Sequence, residues 1–264
     1  MDEAILKTSS AGAILCDASI AAQVGDDWFD PLYWQVGAVA GGRGSAWRVQ
    51  TPAGAAVLRH YRRGGAIARL LGDRYWWQQA ERTRPFAEFR LLQRLQSLCL
   101  PAPQPLAARY QRGQFFYRAD LLTRLVANAA TLAERLAAGR ADAAAMQRVG
   151  ATIARFHAAG VWHADLNAHN VLLVDTTESA PSAAPHAALR VYLIDFDRGE
   201  LRAGAGDWPE QNLARLRRSL LKLGAAADGE AVFERALWQP LRVGYLTARQ
   251  QADMDAAGAA GTLT

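Results

Sequence analysis

The chain has 264 residues, of which 51% are hydrophobic and 21% charged, a balance that builds a packed core and excludes disordered and fibrous classes. Its two cysteines, Cys16 and Cys99, make neither a CxxC pair nor a zinc spacing, so a disulfide framework is excluded and a reducing compartment is expected. The net charge of +5 and the pI of about 9.5 favour a polyanionic partner: a nucleotide, a nucleic acid, an anionic lipid or a phosphorylated substrate.

Up to about Trp34 the sequence mixes apolar and acidic residues without a firm period, which predicts an N-terminal extension with short strands. Asp2 and Glu3 stand where a secretory signal carries positive charge, and no apolar window approaches the roughly 18 residues that span a bilayer. The expectation is a cytosolic protein or one held peripherally on a membrane. Gly41-Gly42-Arg43-Gly44 then lies between the strand signals Val36 to Val39 and Trp47 to Val49. Such a turn lets backbone N–H groups approach phosphate oxygens, with Gly42 and Gly44 as the contact points and Val49 able to cover an adenine. As a plain turn the same residues need no ligand.

Thr51-Pro52-Ala53-Gly54 is a tight-turn signal that leads into a third strand, Ala55 to Tyr61, carrying Arg59. A helix follows around Phe86, Phe89, Leu92 and Leu95 and carries Glu88. Read by itself, Glu88 belongs to a surface charge pair within that helix. Between Arg59 and Arg90 there are eight arginines against Asp73, Glu81 and Glu88, so this segment holds a surplus equal to that of the whole chain. Tyr61, Tyr75, Trp76 and Trp77 are interleaved with them. The combination predicts docking on an anionic membrane surface through Trp76, Trp77, Arg62, Arg63 and Arg69, since Trp favours the interface and guanidinium forks suit phosphates. The alternative is aromatic core beneath a solvated charged face. No RNA-binding motif accompanies the arginines, so no nucleic-acid partner is expected.

Pro101, Pro103 and Pro105 end the helix and begin an extended segment. Tyr110 to Tyr117 reads as a hairpin turning at Gln111-Arg112-Gly113, and Arg118 to Leu125 as a strand and hinge. Thr131 with Glu134 is a capping-box signature, and Met146, Val149, Ile153 and Phe156 mark the core face of a helix from Ala143 to Ala159. His157 near its end is read as a structural histidine.

His163-Ala164-Asp165-Leu166-Asn167-Ala168-His169-Asn170 comes next, followed by an apolar strand signal, Val171 to Val174, and then Ile194-Asp195-Phe196-Asp197. An acid, an Asn five positions later and a second acid after a strand are what phosphoryl transfer from Mg-ATP requires. Asp165 would orient an acceptor hydroxyl and take its proton. Asn170 and Asp195 would offer hard oxygen ligands to Mg²⁺. His163 joins Asp165 as a catalytic candidate, more as a support of the loop than as a proton carrier. Asp175 to Ala188 is rich in Ser, Pro and Ala and reads as a surface insertion of unassigned role. Asn212 to Leu223 predicts a cationic amphipathic helix with Arg215, Arg217, Arg218 and Lys222 on a solvated face, and the tail from Ala256 is expected to fray.

The loop His163 to Asn170 resembles that of the protein kinase-like superfamily. Together with Arg59-His60-Tyr61-Arg62-Arg63-Gly64-Gly65 and Ile194 to Gly199, it is similar to the bacterial lipopolysaccharide core kinases, specifically the 3-deoxy-D-manno-octulosonic acid (Kdo) kinases. The resemblance covers about Tyr33 to about Leu223. It implies an α+β, bilobal kinase-like fold, with an antiparallel N-terminal lobe over 1–124, a helical C-terminal lobe over 125–264, and ATP between them. It further implies that Arg59 stands where these folds usually place a phosphate-binding lysine, paired with Glu88. In this resemblance Gly42, Gly44 and Val49 match the glycine loop, while Trp47 replaces its third glycine. Asp197 stands where protein kinases carry glycine, which argues against a protein kinase activation switch. The implied acceptor is the 4-hydroxyl of Kdo on a lipid A precursor, at the cytoplasmic face of the inner membrane. Alternatives are a superfamily kinase acting on heptose, an aminoglycoside or a protein, or a pseudokinase that binds a partner, against which the intact Asp165, Asn170 and Asp195 argue.

Overall fold

The structure is a computed structural model that describes residues 4–34, 46–62, 72–175, 189–203 and 206–261. The expected glycine turn with Gly42 and Gly44, the arginines Arg63 and Arg69, and most of the Ser/Pro/Ala insertion lie outside the described residues. The chain divides into two compact units, one of Met1–Ser97 with Pro103–Val126 and one of Leu98–Ala102 with Ala127–Thr264.

The first unit is built on an antiparallel sheet. Its strands are β1 (Ile5–Ser9), β2 (Gly12–Cys16), β3 (Ala46–Thr51), β4 (Gly54–His60), β5 (Tyr75–Trp76), β6 (Pro105–Arg112) and β7 (Phe116–Arg124), ordered β1-β2-β6-β7-β4-β3 with β5 on β7. Alternation along β4 sets the two faces. Ala56 and Leu58 turn to one side and pack with Val49, Leu106, Leu122, Trp28 and Phe29, so the N-terminal extension covers that face. Arg59 therefore points to the other side. That side is covered by helix α1 (Arg84–Ser97), whose Phe86, Phe89, Leu92 and Leu95 recur at helical spacing and are buried. Each such ring or leucine withdrawn from water contributes about 1.5–3 kcal/mol. The hairpin between β6 and β7 turns over 113–115, slightly later than the sequence predicts.

The second unit is mainly helical. Helix α2 (Leu132–Ala137) opens with the expected capping box: Glu134 N–H donates to Thr131 Oγ1 at 3.0 Å, and Thr131 N–H donates to the Glu134 carboxylate at 2.7 Å. Helix α3 (Ala143–Ala158) is capped by Asp142 and buries Met146, Val149, Ile153 and Phe156 as predicted. Helices α4 (Trp208–Lys222) and α5 (Glu230–Phe233) follow. A π-helical turn then leads into α6 (Gln239–Gly261), which stays helical past the point of expected fraying. Two glycines permit α6 to cross α3 at backbone contact. A Cβ on Gly150 would lie 2.0 Å from the Leu241 carbonyl oxygen, and one on Gly244 would lie 2.1 Å from that of Gln147. Beside this crossing, His157 Nδ1 meets Tyr245 Oη at 2.9 Å, and burial pushes the imidazole down to about 4. The unit also holds β8 (Ala129–Thr131), β9 (Val161–Trp162), β10 (Val171–Asp175), β11 (Leu189–Leu193) and β12 (Glu200–Leu201), paired as β11-β10-β8 and β12-β9.

Candidate active site

The segment 163–170 joins β9 to β10, and its shape is fixed almost entirely by side chains bonding its own backbone. His163 is buried and lies at its base. Its Nδ1 accepts the Asp165 N–H at 3.1 Å, which leaves Nε2 to donate to the Ile194 carbonyl at 2.9 Å. This assigns one neutral tautomer. Burial lowers the imidazole's pKa and keeps it uncharged, and the Phe196 ring packs against it at 4.8 Å. His163 is thus a positioning group that ties the loop to the segment carrying Asp195, with no ring nitrogen left for proton transfer.

Asn167 and Asn170 close the turn. Asn167 Oδ1 accepts the N–H groups of His169 and Asn170 at 2.8 and 3.2 Å, while its Nδ2 donates to Asp165 Oδ2 at 3.0 Å. The buried Asn170 donates through Nδ2 to the Asp165 carbonyl at 2.9 Å, an orientation that makes Oδ1 the atom presented to a cation. The β10–β11 ladder then brings the second acid near. Val171 faces Leu193, the Ile194 N–H donates to the Asn170 carbonyl at 3.0 Å, and Asp195 follows directly. Asp195 has φ 62°, a left-handed conformation that costs about 1 kcal/mol or more for a residue with a side chain and persists where its surroundings hold it. Phe196, buried between His163 and Phe156, supplies that hold.

Helix α4 also grips the loop. The predicted solvated face holds for Arg218 and Lys222, which are exposed, but not for the helix as a whole. Asn212 Oδ1 accepts the His163 N–H at 3.1 Å and its Nδ2 donates to the His163 carbonyl at 3.0 Å. Arg215 Nη1 donates to Asp165 Oδ1 at 2.9 Å, and Ser219 Oγ accepts the Ala168 N–H at 3.1 Å. These three residues share one helix face, at i, i+3 and i+7. None of the three contacts was apparent from the sequence; an Asn, an Arg and a Ser spaced this way on a helix near the loop were the available signal.

In the first unit, Arg59 pairs with Glu88, which is buried on α1. Tyr61, two residues beyond Arg59 and so on the same face, donates its hydroxyl to Glu88 at 2.5 Å, while the Arg59 guanidinium lies 4.5 Å from the Tyr61 ring centre. Burial first, and then the Glu88 charge, raise the Tyr61 pKa well above its ordinary value, so it remains a donor. Val49 departs from the expectation. It faces Ala56 across the β3–β4 ladder and is buried in the core on the side opposite Arg59, where strand alternation gives it no access to a ligand held by that arginine. Val57 and its cross-strand partner Arg48 share the Arg59 face. On the Val49 side, His60 bridges Asp120 at 2.7 Å and Asp73 at 3.0 Å, and Arg109 also pairs with Asp120.

No group of three or more His, Cys, Asp or Glu side chains is placed to hold a metal among the described residues. The arrangement at 165–195 differs from such a cage: one Asn oxygen and one carboxylate suit a small hard cation that takes its other ligands from water and phosphate.

Comparison with known proteins shows the family. The profile of the Lipopolysaccharide kinase (Kdo/WaaP) family matches residues 35–245. The 3-deoxy-D-manno-octulosonic acid kinase of Stenotrophomonas maltophilia strain R551-3 is 47% identical over 225 residues, 84% of this chain and 85% of that protein. The protein of the same name from Xanthomonas axonopodis pv. citri is 50% identical over 225 residues, again 84% and 85% of the two chains. A solved structure of WaaP in complex with acyl carrier protein shares the fold, with a TM-score of 0.51 at 20% identity, over 91% of this chain and 98% of that one. With an acid–Asn–acid loop of kinase type and a profile match over most of its length, the chain belongs to the lipopolysaccharide kinase (Kdo/WaaP) family.

Proposed function

We propose that this chain transfers the γ-phosphoryl group of ATP to a hydroxyl of Kdo on a lipid A precursor. The observation that carries the reading is the convergence of Asp165, Asn170 and Asp195 at one end of the β10–β11 ladder. The names of relatives 47% and 50% identical over most of both chains support Kdo as the acceptor over a heptose, an aminoglycoside or a protein.

Asp165 has the protein's central task. Its side chain is 51% exposed, so an acceptor hydroxyl has access to it, and the carboxylate orients that hydroxyl and takes its proton as the oxygen attacks phosphorus. Asn170 Oδ1 and Asp195 would hold Mg²⁺, which when bound neutralises charge on the phosphates. Arg59, kept in line by Glu88 and Tyr61, serves the phosphate oxygens as a permanently charged fork where a lysine would be a point charge. His163 acts only on loop geometry. Because the acceptor is part of a glycolipid, the enzyme works peripherally at an anionic membrane surface, and no described helix is long and apolar enough to cross the membrane.

The test is phosphate transfer from labelled ATP to a Kdo-bearing lipid A precursor, compared with a generic protein substrate. Transfer to the glycolipid alone is expected. Asp165→Ala should abolish it with nucleotide binding and fold retained, while Asp195→Ala should weaken metal-dependent nucleotide binding. Turnover like that of the wild type in either variant would overturn the assignment.

A further inference from the structure

Arg215 is the one cation that the structure brings into contact with Asp165 among the described residues, and ordinary stability does not explain it. The two side chains are 47% and 51% exposed, and an ion pair this open to water is worth about 1 kcal/mol or less. Other arginines nearby are paired with surface acids: Arg217 with Glu230 and Glu234, and Arg242 with Glu210. Arg215 instead lies on the carboxylate proposed to take the acceptor's proton, with Nη1 2.9 Å from Asp165 Oδ1. The placement is also rigid, because Asn212 and Ser219, one turn to either side, anchor α4 to the same loop.

We propose that Arg215 recognises the carboxylate of the acceptor sugar. This rests on the reading of the acceptor as Kdo, an octulosonic acid, whose anionic group distinguishes it from neutral sugars. A guanidinium carries five N–H donors in a planar fork, and the contact with Asp165 Oδ1 uses one of them. A sugar carboxylate arriving at the half-open side of the fork makes the paired N–H···O contacts that this geometry favours. Drawing the guanidinium toward the substrate loosens its hold on Asp165 Oδ1 and leaves that oxygen for the acceptor hydroxyl, while Asn167 keeps Oδ2 in place. Arg215 is then a specificity residue whose pairing with Asp165 belongs to the enzyme before the acceptor arrives.

The experiment pairs a change in the enzyme with a change in the substrate. Wild type, Arg215→Gln and Arg215→Lys are assayed with the Kdo-bearing lipid A precursor and with the same glycolipid carrying its Kdo carboxyl as a methyl ester. Wild type should prefer the acid by about ten- to a hundredfold in kcat/KM, the size expected of a charge-assisted contact. Arg215→Gln should lose that factor on the acid and show no preference between the two, with KM for ATP unchanged; Arg215→Lys should keep part of it. A wild-type preference that survives in Arg215→Gln, or equal losses on both acceptors, would overturn the proposal and leave Arg215 as a positioning residue for Asp165. No transfer by wild type to either glycolipid would overturn the Kdo reading itself, and this inference with it.

Discussion

At the scale of single residues, the buried carboxylates Glu88 and Asp120 of the first unit each have an arginine beside them. Glu88 pairs its charge with Arg59 and also accepts a hydrogen bond from the Tyr61 hydroxyl. Removing the Arg59 guanidinium forfeits charge-assisted contacts worth about 1.5–3 kcal/mol, and Arg59→Ala should therefore reduce kcat/KM for ATP by roughly ten- to a hundredfold. A double-mutant cycle with Glu88→Gln should be non-additive, and purely additive losses would remove the pairing from the mechanism. Histidines set the response to pH with opposite signs. The hydrogen bond to Asp120, opposed by burial and helped by Asp73, raises the His60 pKa, so its stabilisation is full below about 6.5 and fades as pH rises through the folded value. His157 is lowered to about 4 by burial, so its neutral form stabilises the fold above 6.5 and that contribution is lost as pH falls toward 4. The shift corresponds to about 3 kcal/mol. Urea unfolding should find His60→Gln more damaging at pH 6 than at pH 9, and the acid slope between pH 6.5 and 4 should flatten in His157→Gln. Identical pH slopes in wild type and variants would count against both assignments.

At the scale of elements, α4 is the splint of the catalytic loop. Asn212→Ala would strand the His163 N–H and carbonyl, both in a buried setting, at a cost of about 2–4 kcal/mol for the pair. Its kcat should drop with the displaced loop while ATP affinity holds. Unaltered denaturant stability in Asn212→Ala would show that water replaces the amide. This helix also marks where sequence reading stops. Asp165, Asn170 and Asp195 stand out in the sequence by type and spacing as candidates for the proposed base and oxygen ligands, and the β10–β11 ladder is what brings the third of them back to the first two. The capping box at Thr131 and the core stripe of α3 were legible by type and spacing as well. Asn212, Arg215 and Ser219 reach partners about fifty residues away, and nothing in the helix's own pattern separates an arginine aimed at Asp165 from one that faces water. Val49 was misread through register, because one step along a strand exchanges the face with a ligand for the face with a core. The pairing of Arg59 with Glu88 was within reach only because a resemblance supplied the long-range half of it.

At the scale of the whole molecule, the proposed work at a membrane surface calls for a part of the protein that can meet one. The expected docking segment proves to be divided. Tyr75 is core, and Trp77 leans on Tyr110 at 5.0 Å with the Arg112 guanidinium over its ring. Arg59, Arg84 and Arg90 are engaged within the unit, with Glu88, with the rings of Tyr61 and Tyr75, and with Glu81. Trp76 remains 64% exposed, stacked on Phe116 at 4.7 Å, and Phe115 at the β6–β7 turn is 58% exposed. Arg118, on the same hairpin, is half exposed and pairs with Asp73 at 3.0 Å. This aromatic tip with cations beside it has the make-up of an interfacial anchor, since Trp and Phe favour the headgroup boundary and each cation near an anionic surface adds about 1 kcal/mol. Each ring moved out of water contributes up to about 1.5–3 kcal/mol. Trp76→Ala with Phe115→Ala should therefore weaken binding to anionic vesicles at least tenfold, and Arg62→Ala with Arg118→Ala should remove most of the salt dependence. Both changes should leave ATP binding as it is, because neither touches Arg59, Asn170 or Asp195. Vesicle binding that ignores both pairs of substitutions and is indifferent to salt would free this hairpin of any docking role.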